Sequence, residues 1–207
     1  SLLRAADILR ENGLRRPFVI ASRRQCADEH FRALQEKLDE QDILLSIFSS
    51  VEPNPSVETV EKIAAQYKID SCDCFLVIGG GSPMDAAKAA AARLARPDKP
   101  LSQLVGLLKV RRRIPPLIAV PTTVAAVVTG SDHHKYAISD LCLIPRYAIL
   151  DPALTVGLPP HITAETGMDA LTHAVEAYLS RFYNTKQTRL LAENAVVTIF
   201  THLEHAY

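Results

Sequence analysis

Two stretches of the chain carry residue types that could do chemistry. In Ile78-Gly79-Gly80-Gly81-Ser82-Pro83-Met84-Asp85 an apolar run ends in three glycines, and a helical pattern follows at once. Glycine takes positive φ angles and lets a ligand come close to the backbone. A helix opening from such a turn directs unpaired N–H groups and the positive end of its dipole into it, which favours an anion such as a pyrophosphate. Pro83 suits the first helical position, where a missing N–H costs nothing. The pattern is neither G-x-G-x-x-G nor a Walker motif with its lysine. A tight turn without a ligand therefore stands beside the phosphate reading, and Lys88, one turn beyond Asp85, fits a plain surface pair. The second stretch, Thr163 to Ala174, holds Asp169 and His173 four residues apart, which puts both on one helix face. A carboxylate oxygen and an imidazole nitrogen suit a divalent first-row metal. Two ligands are too few, so others must come from elsewhere, and a simple surface contact is the competing reading. The apolar or small neighbours Met168, Ala170, Leu171, Ala174 and Val175 suggest a packed helix and favour the metal. His133, His134, His161, His202 and His205 lie in polar or terminal positions that suit solvent or capping roles.

These residues need a scaffold, and the chain's periodicity supplies one. Leu2, Leu3, Ala6, Leu9 and Leu14 recur at helical spacing, with Gly13 a natural stop. Pro17 to Ala21 reads as a short buried strand, Asp28 to Glu40 as a helix with Phe31, Leu34 and Leu38 inward, and Ile43 to Phe48 as a strand. The run Val51-Glu52-Pro53-Asn54-Pro55 breaks the pattern. A helix from about Ser56 to Tyr67 follows, with Ser56 as its cap. Phe75 to Ile78 is the next strand, Pro83 to Ala95 the next helix, and Leu117 to Val120 closes the series. Strands apolar at every residue, alternating with helices, mean a parallel sheet covered on both faces. Right-handed crossovers then leave chiefly doubly wound topologies. Beyond Pro159-Pro160 only helical patterning remains. The expected organisation is an α/β domain with a doubly wound, mostly parallel sheet at 1–150 and the beginning of a helical domain at 151–207.

Composition narrows the function classes. The 207 residues carry 23 Lys+Arg against 23 Asp+Glu, so no net field draws the chain to nucleic acid or an acidic membrane. Tryptophan is absent and aromatics make up 6%, which leaves no base-stacking platform. Cys26, Cys72, Cys74 and Cys142 fit neither a zinc pattern nor a disulfide framework; the Cys72-x-Cys74 pair runs into the apolar segment Cys74 to Ile78, where buried thiols beside a strand are the plainer reading. No apolar run approaches the roughly 20 residues of a membrane helix, and no signal peptide is visible. A reducing, cytoplasmic setting is expected.

Taken in order, Val51 to Pro55, Gly79 to Asp85, Pro121-Thr122-Thr123, Asp151 to Thr155 and Thr166 to Tyr178 resemble the iron-containing (group III) alcohol dehydrogenases, which share a fold class with glycerol dehydrogenase and dehydroquinate synthase. The resemblance covers nearly all of the chain. It implies an oxidoreductase that moves hydride between NAD or NADP and a small alcohol or aldehyde. By the same resemblance, Gly79, Gly80, Gly81 and Ser82 hold the cofactor pyrophosphate with Asp85 nearby. Asn54, Thr122 and Thr123 line the nucleotide cleft, and Lys135 faces the cofactor. Asp169 and His173 are two of four ligands to Fe²⁺, or in some members Zn²⁺, which acts as a Lewis acid on the alcohol oxygen. Homo-oligomers, commonly dimers, are implied too. A polyol dehydrogenase of the glycerol type, a dehydroquinate synthase-like lyase and a non-catalytic nucleotide-binding module are the alternatives; the Thr166 to Tyr178 block favours the alcohol dehydrogenase branch.

Three departures qualify the resemblance. The family draws two further histidine ligands from later helices that these residues do not include, and it carries N-terminal strands ahead of the first helix. Pro121-Thr122-Thr123 runs directly into Val124-Ala125-Ala126-Val127-Val128, where the family has a glycine-containing loop. At the end of the first strand, Ala21-Ser22-Arg23-Arg24 replaces the aspartate that in many NAD-preferring members bonds the ribose 2′-hydroxyl. Loss of that acid and two arginines would admit a 2′-phosphate, so tolerance of or preference for NADP is expected, with a solvated basic turn as the alternative.

Overall fold

The computed structural model describes residues 1–122, 128–129, 135–180 and 184–207, with the backbone only at 128–129 and 135–136. Two compact units result, Ser1–Leu154 and Thr155–Tyr207.

In the first unit, helix α1 (Arg4–Glu11) leads to strand β1 (Pro17–Ile20). A single turn, α2 (Arg23–Cys26), and α3 (Glu29–Asp39) lead to β2 (Ser46–Phe48). Helix α4 (Val57–Ile69) leads to β3 (Cys74–Gly79), which runs into α5 (Gly81–Ala95). The strands that follow are β4 (Gly106–Leu107), β5 (Leu117–Pro121), β6 (Val128–Thr129), β7 (Lys135–Tyr136), β8 (Ile138–Ser139) and β9 (Tyr147–Ala148). Five of them form one sheet in the order β2-β1-β3-β5-β9, parallel at every pairing. Minor pairs join β4 to β8 and β6 to β7. The order reverses between β1 and β3, so the chain winds outward in both directions from there. In sheets of this kind ligands bind beyond the carboxyl ends of the strands at that reversal.

Alternation along the strands builds two cores. Phe18, Ile20, Phe75, Val77, Leu117 and Ala119 point to the face covered by α4 and α5. Val19, Cys74, Leu76, Ile78, Ile118 and Val120 point to the face covered by α1 and α3. On the first face Phe18, Tyr67 and Phe75 form an aromatic cluster, with Tyr67 and Phe75 stacked at 4.7 Å between centroids. Helix α5 buries Ala86, Ala87, Ala89, Ala90, Ala91 and Ala92. Alanine combines the best helix propensity with a side chain short enough for the helix to seat closely on the sheet.

The expected strand at Ile43 to Phe48 is shorter, because its first residues close α3 instead. Asp42 takes φ 54°, and the Ile43 N–H returns to the Leu38 carbonyl at 3.0 Å, as in a Schellman motif. The expected series ended at β5, yet β9 adds a fifth strand to the sheet. Only two residues of it join the ladder, at an edge and half exposed, so it lacks the continuous apolar run that marks a buried strand.

The second unit is a helical pair, α6 (Pro160–Leu179) and α7 (Lys186–Ala206). Gly167 lies where a Cβ would fall 2.3 Å from a Leu203 methyl, so glycine lets the two helices close at that level. No helix among the described residues is long and apolar enough to cross a membrane.

Candidate functional site

Three segments meet around the glycine turn at the carboxyl end of β3. Gly79 is buried at the end of β3 with φ +145°. A Cβ there would stand 2.9 Å from Pro83 Cγ and 3.3 and 3.4 Å from Oε1 and Nε2 of Gln25, so conformation and space both demand glycine. Its carbonyl accepts the Thr122 N–H at 2.9 Å from the end of β5. Ser82 Oγ accepts the Asn54 N–H at 3.2 Å, and Asn54 itself takes φ 56°, a left-handed conformation that asparagine tolerates better than most residues. The structure thus gathers Asn54, Gly79 to Ser82 and Thr122 at one point. Asp85 is buried near the start of α5, at 7% exposure. Thr123 lies outside the described residues. Lys135 is described in its backbone alone, paired across β7 with Thr129.

Helix α5 begins two residues earlier than the proline suggests. Gly80 is its N-cap and Pro83 its third residue. This costs nothing, because the N–H groups of the whole first turn lack intrahelical acceptors. Helices α3, α4 and α7 are capped by Asp28, Ser56 and Thr185. No side-chain cap serves α5, nor α1 and α6, among the described residues. What sets α5 apart is that the N–H groups of Gly81 and Ser82 open at the reversal point of the sheet, where an external anion could accept them.

Two neighbours hold this end in place. Ser22 caps α2 at the end of β1, accepting the Gln25 N–H at 3.2 Å, while Gln25 Oε1 accepts the Ser22 N–H at 2.8 Å. This capping box presses the Gln25 carboxamide against Gly79. Gln25 escapes a reading based on glycines and charges, although Ser22-x-x-Gln25 is a legible box. Glu52 anchors the turn that carries Asn54, accepting the Ser56 N–H and the Thr59 hydroxyl, each at 2.8 Å. Burial pushes its carboxyl up, but the N–H groups of Ser56 and Glu52 and the Ser56 and Thr59 hydroxyls outweigh burial and hold it below the ordinary glutamate value. Arg23 and Arg24 are exposed on α2.

Cys74 is buried within β3 as the plainer reading expects, whereas Cys72, just ahead of the strand, is half-buried. Burial, with Asp70 adding to it, pushes Cys72 up to about 11, and burial drives Cys74 higher still. Such thiols stay protonated and unreactive at neutral pH.

In the second unit, Asp169 Oδ1 and His173 Nε2 stand 3.6 Å apart on α6, with side chains 46% and 58% exposed. Two atoms each about 2.1 Å from a tetrahedral ion would be about 3.4 Å apart, so the donor types and spacing fit one ion. No cluster of three or more metal-binding side chains occurs among the described residues. The expectation of a packed helix fails here: Met168 is 54% and Val175 40% exposed, and Ala174 is the one buried residue of α6. A single helical neighbour covers only one side of α6. His161, His202 and His205 are exposed as expected; His133 and His134 lie outside the described residues.

Comparison with known proteins accounts for both units. Residues 1–152 match the iron-containing alcohol dehydrogenases, and residues 163–207 match the C-terminal part of the Fe-containing alcohol dehydrogenase family. The chain is 38% identical over 173 residues to the probable alcohol dehydrogenase EutG of Salmonella typhimurium, covering 79% of this chain and 43% of that protein. An alcohol dehydrogenase from Oenococcus oeni superposes with a TM-score of 0.90 at 27% identity, over 99% of this chain and 56% of that one. Sulfoacetaldehyde reductase from Bifidobacterium kashiwanohense, solved with NAD⁺, gives 0.85 at 29% identity over the same shares. The chain spans about half the length of these relatives. On the matches to both of its units, the chain belongs to the iron-containing alcohol dehydrogenase family.

Proposed function

We propose that the protein carrying this chain is a metal-dependent oxidoreductase that moves a hydride between a nicotinamide dinucleotide and a small alcohol or aldehyde. One observation carries the cofactor half: the N-terminus of α5, without a side-chain cap among the described residues, opens beside Gly79 at the reversal point of the parallel sheet. Backbone N–H groups at Gly81 and Ser82 would bind the pyrophosphate, with the helix dipole adding to the attraction. Asn54 and Thr122 would flank the nucleotide, and Asp85, Thr123 and Lys135 take the cofactor-side roles that the family resemblance implies. The NAD⁺ bound to the Bifidobacterium reductase supports this assignment.

Asp169 and His173 would supply two ligands to a divalent ion, with iron favoured by family and zinc the alternative. Such an ion supplies Lewis-acid polarisation of the substrate oxygen. The chain's own residues bind and orient: backbone amides would hold the dinucleotide, and the helix face sets a carboxylate oxygen beside an imidazole nitrogen. The exposed Arg23 and Arg24 follow a strand end without a carboxylate, which supports use of NADP as well as NAD. A cytoplasmic homo-oligomer completes the reading.

The test is metal analysis of the full-length protein alongside a screen of NADH and NADPH oxidation over small aldehydes. Stoichiometric iron or zinc with turnover of at least one aldehyde is the expected result. A protein that holds metal but oxidises neither nucleotide would overturn the proposal.

A further inference from the structure

We propose that Gln25 is a cofactor-contacting residue, donating from its side-chain amide to the anionic pyrophosphate; this rests on the dinucleotide reading of the glycine turn. The backbone N–H of Ser22 sits 2.8 Å from one end of the carboxamide. Because that N–H can only donate, this end is the oxygen, which leaves Nε2 as the other. Oε1 and Nε2 lie 3.3 and 3.4 Å from the position a Gly79 Cβ would take. The amide therefore lies alongside the turn between the carboxyl ends of β1 and β3. Nε2 makes no hydrogen bond within the protein among the described residues, and Gln25 is partly exposed. Two fixed contacts, the capping box and the wall of the glycine turn, orient an amide donor where an anion is expected. A donor held in this way loses little entropy when it binds.

The alternative is that Gln25 only closes the capping box. Two substitutions separate the roles. Gln25→Glu keeps an acceptor for the Ser22 N–H but exchanges the amide donor for a negative charge. Gln25→Met keeps the length and loses both the acceptor and the donor. Dissociation constants for NADH, read by fluorescence titration of the full-length protein, are compared with thermal midpoints. A cofactor contact predicts that Gln25→Glu weakens NADH binding most, by about tenfold or more, at a nearly unchanged midpoint, with Gln25→Met in between. A capping role alone predicts the reverse order, with Gln25→Glu close to the parent in both readouts, and that result would overturn the inference. If the parent binds neither NADH nor NADPH, the dinucleotide reading itself has failed and takes this one with it.

Discussion

Gly79→Ala probes the construction of the turn directly. At φ +145° an alanine sits where side-chain-bearing residues are strained, at a cost of about 1–3 kcal/mol. The new methyl would also meet Pro83 Cγ at 2.9 Å and the Gln25 carboxamide at 3.3 to 3.4 Å. Cγ belongs to a closed ring in the first turn of α5, to which only a change of pucker is open, so full relief also requires the helix start to shift. Overpacking of this kind costs about 1–3 kcal/mol. Together these predict a loss of about 2–6 kcal/mol, a large share of the 5–15 kcal/mol typical of a folded domain. Urea unfolding followed by circular dichroism would show a lower midpoint at an unchanged slope. Comparison of Pro83→Ala, Gly79→Ala and the double variant isolates the steric part, because removal of the ring recovers it and leaves the φ strain. A Gly79→Ala protein within about 0.5 kcal/mol of the parent, or no coupling between the two positions, would refute this account.

Three other outcomes follow from the geometry. His173→Ala should abolish iron or zinc binding in metal analysis while shifting stability by no more than about 0.5 kcal/mol, since the side chain is exposed; retention of full metal would remove His173 from the ligand set. Glu52 titrates below its ordinary value in the folded chain, so its stabilisation is complete above the unfolded pKa and is lost as pH falls through the folded one. Glu52→Gln should then lower stability at neutral pH and flatten the acid limb of the stability curve, which urea midpoints across pH 3 to 7 would show. Replacing Arg23 and Arg24 together by alanine should lower kcat/KM for NADPH more than for NADH; equal losses would make the pair a plain solvated turn.

Much of the fold was legible because its strands are apolar at every position and its helices carry clear apolar faces. Ser56 announced the start of α4, and the glycine run announced the turn. What escaped was structure made by single residues in uncommon conformations. Gly13 reads as a helix stop, but Asp42 and Ser71 do the same work at φ 54° and 52° without glycine's signature. The edge strand β9 escaped because half-exposed edge residues carry no continuous apolar signal. At the site, Asn54, Gly79 to Ser82 and Thr122 could be named from motif order, but their convergence depends on the strand order, which periodicity does not encode. Gln25 escaped because its significance lies in a contact with a glycine 54 positions away, and a residue without a side chain leaves no mark of what it touches.

Both ends of the sheet are tied across the chain, but around different groups, and this bears on where function can change. At the amino ends Leu14, Ile43 and Cys72 each donate their N–H to a carbonyl of the helix just finished, Leu9, Leu38 and Tyr67, at 2.9 to 3.0 Å, and the Asp73 carboxylate joins the approaches to β1 and β3 by accepting the Arg15 and Arg16 N–H groups at 2.6 and 3.1 Å. At the carboxyl ends the bonds from Asn54 to Ser82 and from Thr122 to Gly79 also join segments distant in sequence. Only at this second end do they shape the glycine turn proposed to receive the dinucleotide, so a change there alters both packing and the proposed site. Substitutions that retune cofactor choice are therefore tolerated best at exposed positions beside the turn, such as Arg23 and Arg24, and least at Gly79, where backbone conformation, packing and ligand access coincide in one residue.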